Sequence, residues 1–337
     1  MTTQPATWAI VLAAGDGTRL STLTTDARGN TVPKQFCSLN GGQSLLQAAL
    51  QRARRLVPKE RICTIVARRH ERHWRQSLSS LSARNVIVQP RNCGTANGVL
   101  LGLLSILGRD PLARVVFLPS DHYVRDEDLF ADSVRKAAMV ATQSHPGLTL
   151  VGIEPDDVDP DLGYIVPAGP IDGGTRRVAQ FVEKPASAVA RDLIARGAVW
   201  NSFIFWAQAS MLLALIRRRT PEIAEVMTNA LAHDWRGGEG TLALTELYKR
   251  LPTIDFSRSV VQGAESELRV STVPACGWTD LGTPGRLAQT LRSLRIASDV
   301  WPRASALPPL ACVDLAANFA RCSAALGRSN QDAQQSL

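Results

Sequence analysis

Trp8–Leu20 reads WAIVLAAGDGTRL, and Pro33–Phe36 reads PKQF. Trp8–Ala14 is a short apolar run, the pattern of a strand covered on both faces. Gly15–Leu20, GDGTRL, is the turn that follows it. Gly15 and Gly17 let backbone amides approach an anion with no side chain between. Thr18 adds a hydroxyl donor, and Arg19 a guanidinium fork suited to phosphate oxygens. Pro33 fixes the backbone ahead of Lys34, an ammonium able to neutralise charge on a transferring phosphoryl group. Leu20 stands where GxGxxG needs its third glycine, and GxxxxGK[ST] is not present. A nicotinamide dehydrogenase and a P-loop ATPase are therefore both disfavoured.

Working outward, strand and helix signals alternate. Strands are expected at Trp8–Ala13, Arg61–Val66, Asn85–Gln89, Arg114–Leu118 and Leu148–Ile153. Amphipathic helices are expected at Ser44–Val57, Gly98–Leu107 and Leu129–Ala141. From Gly163 the strands Gly163–Val166, Arg177–Val182, Val199–Trp206 and Leu268–Val273 have longer connections, so the sheet becomes mixed. Further helices are expected at Ala209–Arg219, Pro221–Ala232, Leu242–Arg250 and Gly285–Ala297, with Pro221 suited to a first helical position. The pattern predicts a Rossmann-like α/β/α sandwich with a mostly parallel, mixed central sheet. Residues 1–286 are expected to form the main domain. Residues 287–337 are read as a helical extension, a Pro-rich stretch (Leu307–Leu310) and a tail expected to be disordered.

The chain has 337 residues, 45% apolar and 20% charged, with a net charge of +8. No apolar run approaches the roughly 18 residues that span a bilayer, and no basic patch precedes an apolar start, so neither membrane nor secretion is expected. The scattered cysteines Cys37, Cys63, Cys93, Cys276, Cys312 and Cys322 form no CxxC pair, which suits a reducing cytoplasm. The arginine clusters at 52–55 and 217–219 are read as solvated helix faces, with no nucleic-acid partner. His70 and His73 lack the HExxH spacing and are read as a solvated helix face.

Other polar segments fall at strand ends. Gln89–Ala96 reads QPRNCGTA, where Gly94 permits close approach and Thr95 starts a helix. Leu118–Tyr123 reads LPSDHY, and Gly277–Gly282 reads GWTDLG. Asp121 and Asp280 are carboxylates of the kind that hold Mg²⁺ together with substrate phosphates. Gly163-Tyr164 precedes FVEKP (Phe181–Pro185), in which Glu183 offers acceptors and Lys184 a cation. Trp200–Phe205 reads WNSFIF, and Asn201 offers both donor and acceptor.

LAAGDGTRL followed by PKQF resembles the signature of sugar-1-phosphate nucleotidylyltransferases, and PKQF resembles mannose-1-phosphate guanylyltransferases in particular. The cytidylyltransferases of isoprenoid synthesis share a glycine-rich turn and PKQ, but are shorter and bring the lysine nearer the loop. The resemblance runs from Trp8 to Arg286. It implies that Leu12, Ala13, Ala14, Gly15, Gly17, Thr18, Gln89, Gly94 and Thr95 bind the nucleotide, and that Arg19, Lys34 and Asp121 are catalytic. It further implies that Gly163, Tyr164, Glu183, Lys184, Asn201 and Asp255 (in TIDF, like the family's S-I-D element) bind the sugar phosphate, and that Asp121 and Asp280 hold Mg²⁺.

The implied partners are a nucleoside triphosphate, GTP first, and a sugar 1-phosphate, mannose 1-phosphate first, with a homodimer kept as the candidate assembly. Several departures stand out. Gln89 replaces an acidic residue, RNCGTAN with Asn97 replaces the family's RNTAP, and Phe203 replaces the glycine after WNS, so the same reaction with another base or sugar stays open. The spacer Ser21–Val32 is also long. A non-catalytic regulatory paralogue is the other reading kept.

Overall fold

The computed structural model describes residues 5–26, 29–143, 147–237, 240–298 and 313–321. Ala27 and Arg28 of the spacer, the Pro-rich stretch, the last eleven residues, Cys312 and Cys322 lie outside the described residues. The chain divides into two compact units: Met1–Gly15 with Leu50–Pro119 and Val124–Trp278, and Asp16–Ala49 with Ser120–Tyr123 and Thr279–Leu337.

The first unit holds the whole sheet. Its strands are β1 (Thr7–Ala13), β2 (Ile62–Ala67), β3 (Val86–Gln89), β4 (Arg114–Pro119), β5 (Leu148–Ile153), β6 (Gly163–Asp172), β7 (Thr175–Glu183), β8 (Val199–Gln208) and β9 (Leu268–Val273). Their order is β3-β2-β1-β4-β8-β5-β9-β7-β6, with a further β8–β6 pairing. The half β3-β2-β1-β4 is parallel, as is the pair β5–β9. β8 runs antiparallel to both β4 and β5, and β6 and β7 are antiparallel to each other. The strand direction changes where longer connections interrupt the sequence pattern, as expected. β6 runs on past the expected end at Val166, and the ladder shifts register between Val166 and Pro167, which accommodates a residue with no amide donor.

Along the chain the helices are α1 (Leu45–Leu56), α2 (Glu71–Ser77), α3 (Thr95–Leu107), α4 (Glu127–Gln143), α5 (Ser187–Ala195), α6 (Ala209–Arg219), α7 (Pro221–Gly237), α8 (Gly240–Arg250) and α9 (Pro284–Ser298). α2 and α5 were not foreseen; both are short, seven and nine residues, so periodicity gave little signal. In the first unit α3 packs on β1, β2 and β3, and α4 on β5, β8 and β9. The core carries a run of rings: Phe117 stacks on Phe205 at 4.8 Å between centroids, and Phe205 on Phe256 at 5.1 Å.

In the second unit the spacer folds into a turn. Thr25 bridges Thr31, and the Asp26 carboxylate accepts from the Asn30 backbone at 2.8 Å and from its side chain at 3.2 Å. Late in the chain, residues 315–321 form a helical turn beside this hairpin. Asn318 Nδ2 donates to the Leu23 and Thr25 carbonyls, both at 2.9 Å, and Ser38 exchanges backbone hydrogen bonds with Val313 and Leu315. Part of the sequence beyond α9 is therefore built into the fold.

Two expectations about surface charge are corrected. Arg52 is 1% exposed, because its guanidinium pairs bidentately with Glu127 at 3.0 and 2.6 Å under the Phe130 ring. The second cluster is an exposed helix face, as expected, on which Arg218 pairs with Glu267 and Arg219 donates to the Ser259 and Gln262 carbonyls. His70 and His73 do not share a helix face, since His70 ends a 3₁₀ turn ahead of α2 and is buried. Burial first, then the charges of Arg69, His73 and Arg72, lower the His70 pKa to about 4.

Candidate functional site

Lys34 is the hub of the second unit. Its side chain is 7% exposed, and its ammonium has three acceptors: Asp121 Oδ2 at 3.0 Å, the Asp280 carbonyl at 2.6 Å and the Leu281 carbonyl at 3.3 Å. An ammonium has three hydrogens, so this set fills its donor capacity. Successive carbonyls of an extended chain point opposite ways. Here Leu281 adopts φ +51, the left-handed region, and two consecutive carbonyls reach one ammonium. For a leucine that conformation costs about 1–2 kcal/mol.

The glycine-rich turn meets the same lysine. Gly17 has φ +64, and a Cβ there would stand 2.9 Å from the Lys34 backbone nitrogen. Only a glycine lets the turn lie so close to Lys34. By contrast a Cβ on Gly15 would meet nothing within 4 Å, leaving that backbone open to approach. Thr18 and Arg19 are exposed in the 3₁₀ turn Thr18–Leu20.

Loss of solvent around the Asp121 carboxyl opposes its ionisation. The charge of Lys34, then that of His122, then hydrogen bonds from Lys34 and a backbone amide outweigh this and hold its pKa below the ordinary value. Asp280 is 8% exposed, and its Oδ1 is buried without a hydrogen-bond partner; Arg286 Nε of α9 stands 3.9 Å away. A Cβ on Gly282 would fall 2.2 Å from Asp280 Oδ2, so the glycine makes room for the carboxylate. Among the described residues no three or more metal-ligating side chains converge. Mg²⁺ needs no such cage, since one or two carboxylates, substrate phosphates and water suffice. The hard Asp121 carboxylate on the Lys34 ammonium, with an Asp280 carboxylate that has an unbonded buried oxygen and whose backbone carbonyl meets the same ammonium, fits such an ion.

In the first unit a second group of residues gathers around Glu183. Its Oε1 pairs with Lys184 Nζ at 2.9 Å, while Oε2 is buried with no hydrogen-bond partner. Gly163 makes this possible: a Cβ there would lie 2.5 Å from Glu183 Oε2. Burial raises the Glu183 pKa, opposed by the hydrogen bond and charge of Lys184; Asp255 adds to the rise, and Arg258 offsets part of it. Asn201 accepts from the Phe203 amide at 3.1 Å and donates to Ser257 Oγ at 3.3 Å, which fixes its carboxamide. Phe203 adopts φ +57 at the place where the resemblance expects glycine. Its ring turns to the core, edge-on to Phe205 at 6.0 Å and Phe256 at 5.9 Å.

Residues 248–257 connect this group to the loop after β3. Gly94 has φ +87, and a Cβ on it would lie 2.3 Å from the Ile254 carbonyl, so the close approach it permits is to the chain's own backbone. The Phe256 amide donates to Thr95 Oγ1 at 2.8 Å, and Asn97 Nδ2 to the Cys93 and Pro252 carbonyls. Gln89 is 1% exposed and donates to the Tyr248 hydroxyl at 3.0 Å. Tyr164 is fully buried, its hydroxyl taken up by the Asp159 backbone at 3.0 and 3.1 Å. Asp255 Oδ1 accepts from the Arg258 amide at 2.9 Å. Leu12, Ala13 and Ala14 form and follow the end of β1, with Ala13 buried.

Sequence reasoning missed Ser257, Gln262 and Arg286. Gln262 accepts from the Glu183 amide at 3.0 Å. Their roles depend on contacts between distant segments, and no local motif marks them.

Fold and site together define an open-sheet α/β protein with a glycine-rich turn after its first strand and a buried lysine paired with a carboxylate. The family model described as Nucleotidyl transferase matches residues 8–295, and the chain belongs to that family. Xanthan biosynthesis protein XanB of Xanthomonas campestris pv. campestris is 34% identical over 283 residues, 81% of this chain and 57% of that protein. Mannose-1-phosphate guanylyltransferase of Salmonella muenchen is 29% identical over 282 residues, again 81% of this chain and 57% of that one. The chain thus spans a little over half the length of these curated relatives. The solved structure of mannose-1-phosphate geranyltransferase from Thermus thermophilus superposes with a TM-score of 0.69 at 31% identity, covering 82% of this chain and 76% of that one. Among the described residues no helix is long and apolar enough to cross a membrane.

Proposed function

We propose that this protein transfers a nucleotidyl group from a nucleoside triphosphate to a sugar 1-phosphate and releases pyrophosphate, with GTP and mannose 1-phosphate as its substrates. The observation that carries the reading is Lys34, whose ammonium ties Asp121 to the Asp280–Leu281 backbone beside the glycine-rich turn. Membership of the Nucleotidyl transferase family supports the reaction class, and the names of the relatives support the choice of substrates.

The sugar phosphate is already a nucleophile, so no general base is needed. One of its oxygens attacks the α-phosphorus in line; the new P–O bond forms as the bond to the departing pyrophosphate breaks. The difficulty is electrostatic, because two anions must meet and negative charge spreads onto the leaving group. Amides of the turn at Gly15 and Gly17, with Thr18 and Arg19, bind the triphosphate. Lys34 offsets the charge that develops during transfer. Gln89, Gly94 and Thr95 shape the loop assigned to the base. Glu183 and Asn201 orient sugar hydroxyls, aided by Asp255, while Lys184 holds the sugar phosphate. Asp121 and Asp280 would hold Mg²⁺, which supplies charge neutralisation when bound.

The test is pyrophosphate release by purified protein with Mg²⁺, a panel of nucleoside triphosphates and several sugar 1-phosphates. Release with GTP and mannose 1-phosphate alone is expected. Release with another pair would keep the reaction and reassign the base and sugar. No release from folded protein that still binds nucleotide would overturn the catalytic reading.

A further inference from the structure

We propose that Lys34 is a resident cation on Asp121 in the metal-free protein, and that a divalent cation must take its place there before the ammonium can turn to a phosphate. The inference rests on the metal reading of Asp121 and Asp280 given above. All three ammonium hydrogens already have acceptors, so Lys34 can engage a phosphate only by giving one up.

The three acceptors differ. Two are backbone carbonyls fixed by the left-handed turn at Leu281. The third is the Asp121 carboxylate, whose side chain is 37% exposed and so can be reached from solvent. A buried ammonium needs a counter-charge, and without metal Asp121 supplies it. A hard divalent ion and an ammonium compete for the same carboxylate oxygen. Once the ion holds Asp121, the freed hydrogen is available to a substrate phosphate. Asp280 has a weaker counterpart, with Arg286 Nε 3.9 Å from its Oδ1. The arrangement gives Asp121 a counter-charge and links arrival of the metal to release of the lysine.

Mn²⁺ without nucleotide, titrated calorimetrically into the wild type and Lys34→Met, reads this directly. Removing the internal competitor is expected to tighten Mn²⁺ binding about ten-fold or more, with a correspondingly larger rise in Tm on adding Mn²⁺. A second measurement uses only wild-type protein, in case the variant does not fold. Amine acetylation followed by peptide mass spectrometry should find Lys34 protected without metal and reactive at saturating Mn²⁺, with exposed Lys59 and Lys249 unchanged as controls. Equal Mn²⁺ affinity in folded Lys34→Met, or Lys34 acetylation unmoved by saturating Mn²⁺, overturns the inference while leaving the metal reading standing. No Mn²⁺ binding by either protein, with or without GTP, removes the metal reading and this inference with it.

Discussion

Gly163→Ala adds one methyl at the point where β6 meets Glu183. The backbone at Gly163 lies outside the left-handed region, so alanine brings no strain of its own. The methyl would stand 2.5 Å from Glu183 Oε2, 3.2 Å from Asn201 Cβ and 3.4 Å from the Phe181 ring. The last two contacts need only small adjustments. The first cannot persist, and the softest response is rotation of the carboxylate, a side-chain end held through Oε1 by the half-exposed Lys184.

A displaced carboxylate loses its charge-assisted hydrogen bond to a sugar hydroxyl, worth about 1.5–3 kcal/mol, or roughly 10- to 150-fold in kcat/KM for the sugar 1-phosphate. Stability should change little, since a Gly→Ala change at a compatible position stabilises by about 0.4–1 kcal/mol through the unfolded chain and the carboxylate can move aside. Steady-state kinetics of pyrophosphate release with the sugar phosphate varied, beside urea unfolding, separates the two effects. A folded Gly163→Ala with wild-type kcat/KM would refute the assignment of Glu183 to the sugar.

Three further outcomes follow from the same geometry. Gly94→Ala places a Cβ 2.3 Å from a backbone carbonyl at φ +87, where no side chain can yield; thermal or chemical unfolding should show a loss of about 2–4 kcal/mol, and an unchanged Tm would contradict the packing described. At Phe203 the usual order should invert: Phe203→Ala keeps the left-handed strain and loses the ring, whereas Phe203→Gly loses the ring but relieves about 1–2 kcal/mol, so urea unfolding should rank glycine the more stable variant. His70 titrates at about 4 folded, below its ordinary 6.5, so the unfolded chain binds the proton first as pH falls. Stability is therefore full above pH 6.5 and declines toward pH 4, by at most about 3 kcal/mol; His70→Gln should flatten that part of the profile, and an unchanged slope would show that His70 is not buried neutral.

The alternation of apolar runs and amphipathic stretches was enough to give a doubly wound α/β chain, because parallel strands covered on both faces leave an apolar signature that depends on composition alone. β5, β9 and α6 fall on the expected residues. The order of short motifs was enough to bring Lys34, Asp121 and Asp280 into consideration together. Periodicity gave no hint of which strands become neighbours, because β8 enters between β4 and β5 through pairings made across the chain.

Side-chain destinations were decided by tertiary structure. The sequence did not show that Gln89 Nε2 donates to Tyr248 or that the Tyr164 hydroxyl is held by the Asp159 backbone. Gly94 serves the approach of Ile254, and Phe203 turns its ring to Phe205 and Phe256. Arg52, read as solvated, is buried because Glu127 neutralises it, a partner far along the chain. A sequence determines which groups a chain has and the local conformations they favour. Which hydrogens and charges find each other is set by packing between distant segments, since a buried polar group must take whatever partner the fold brings within reach.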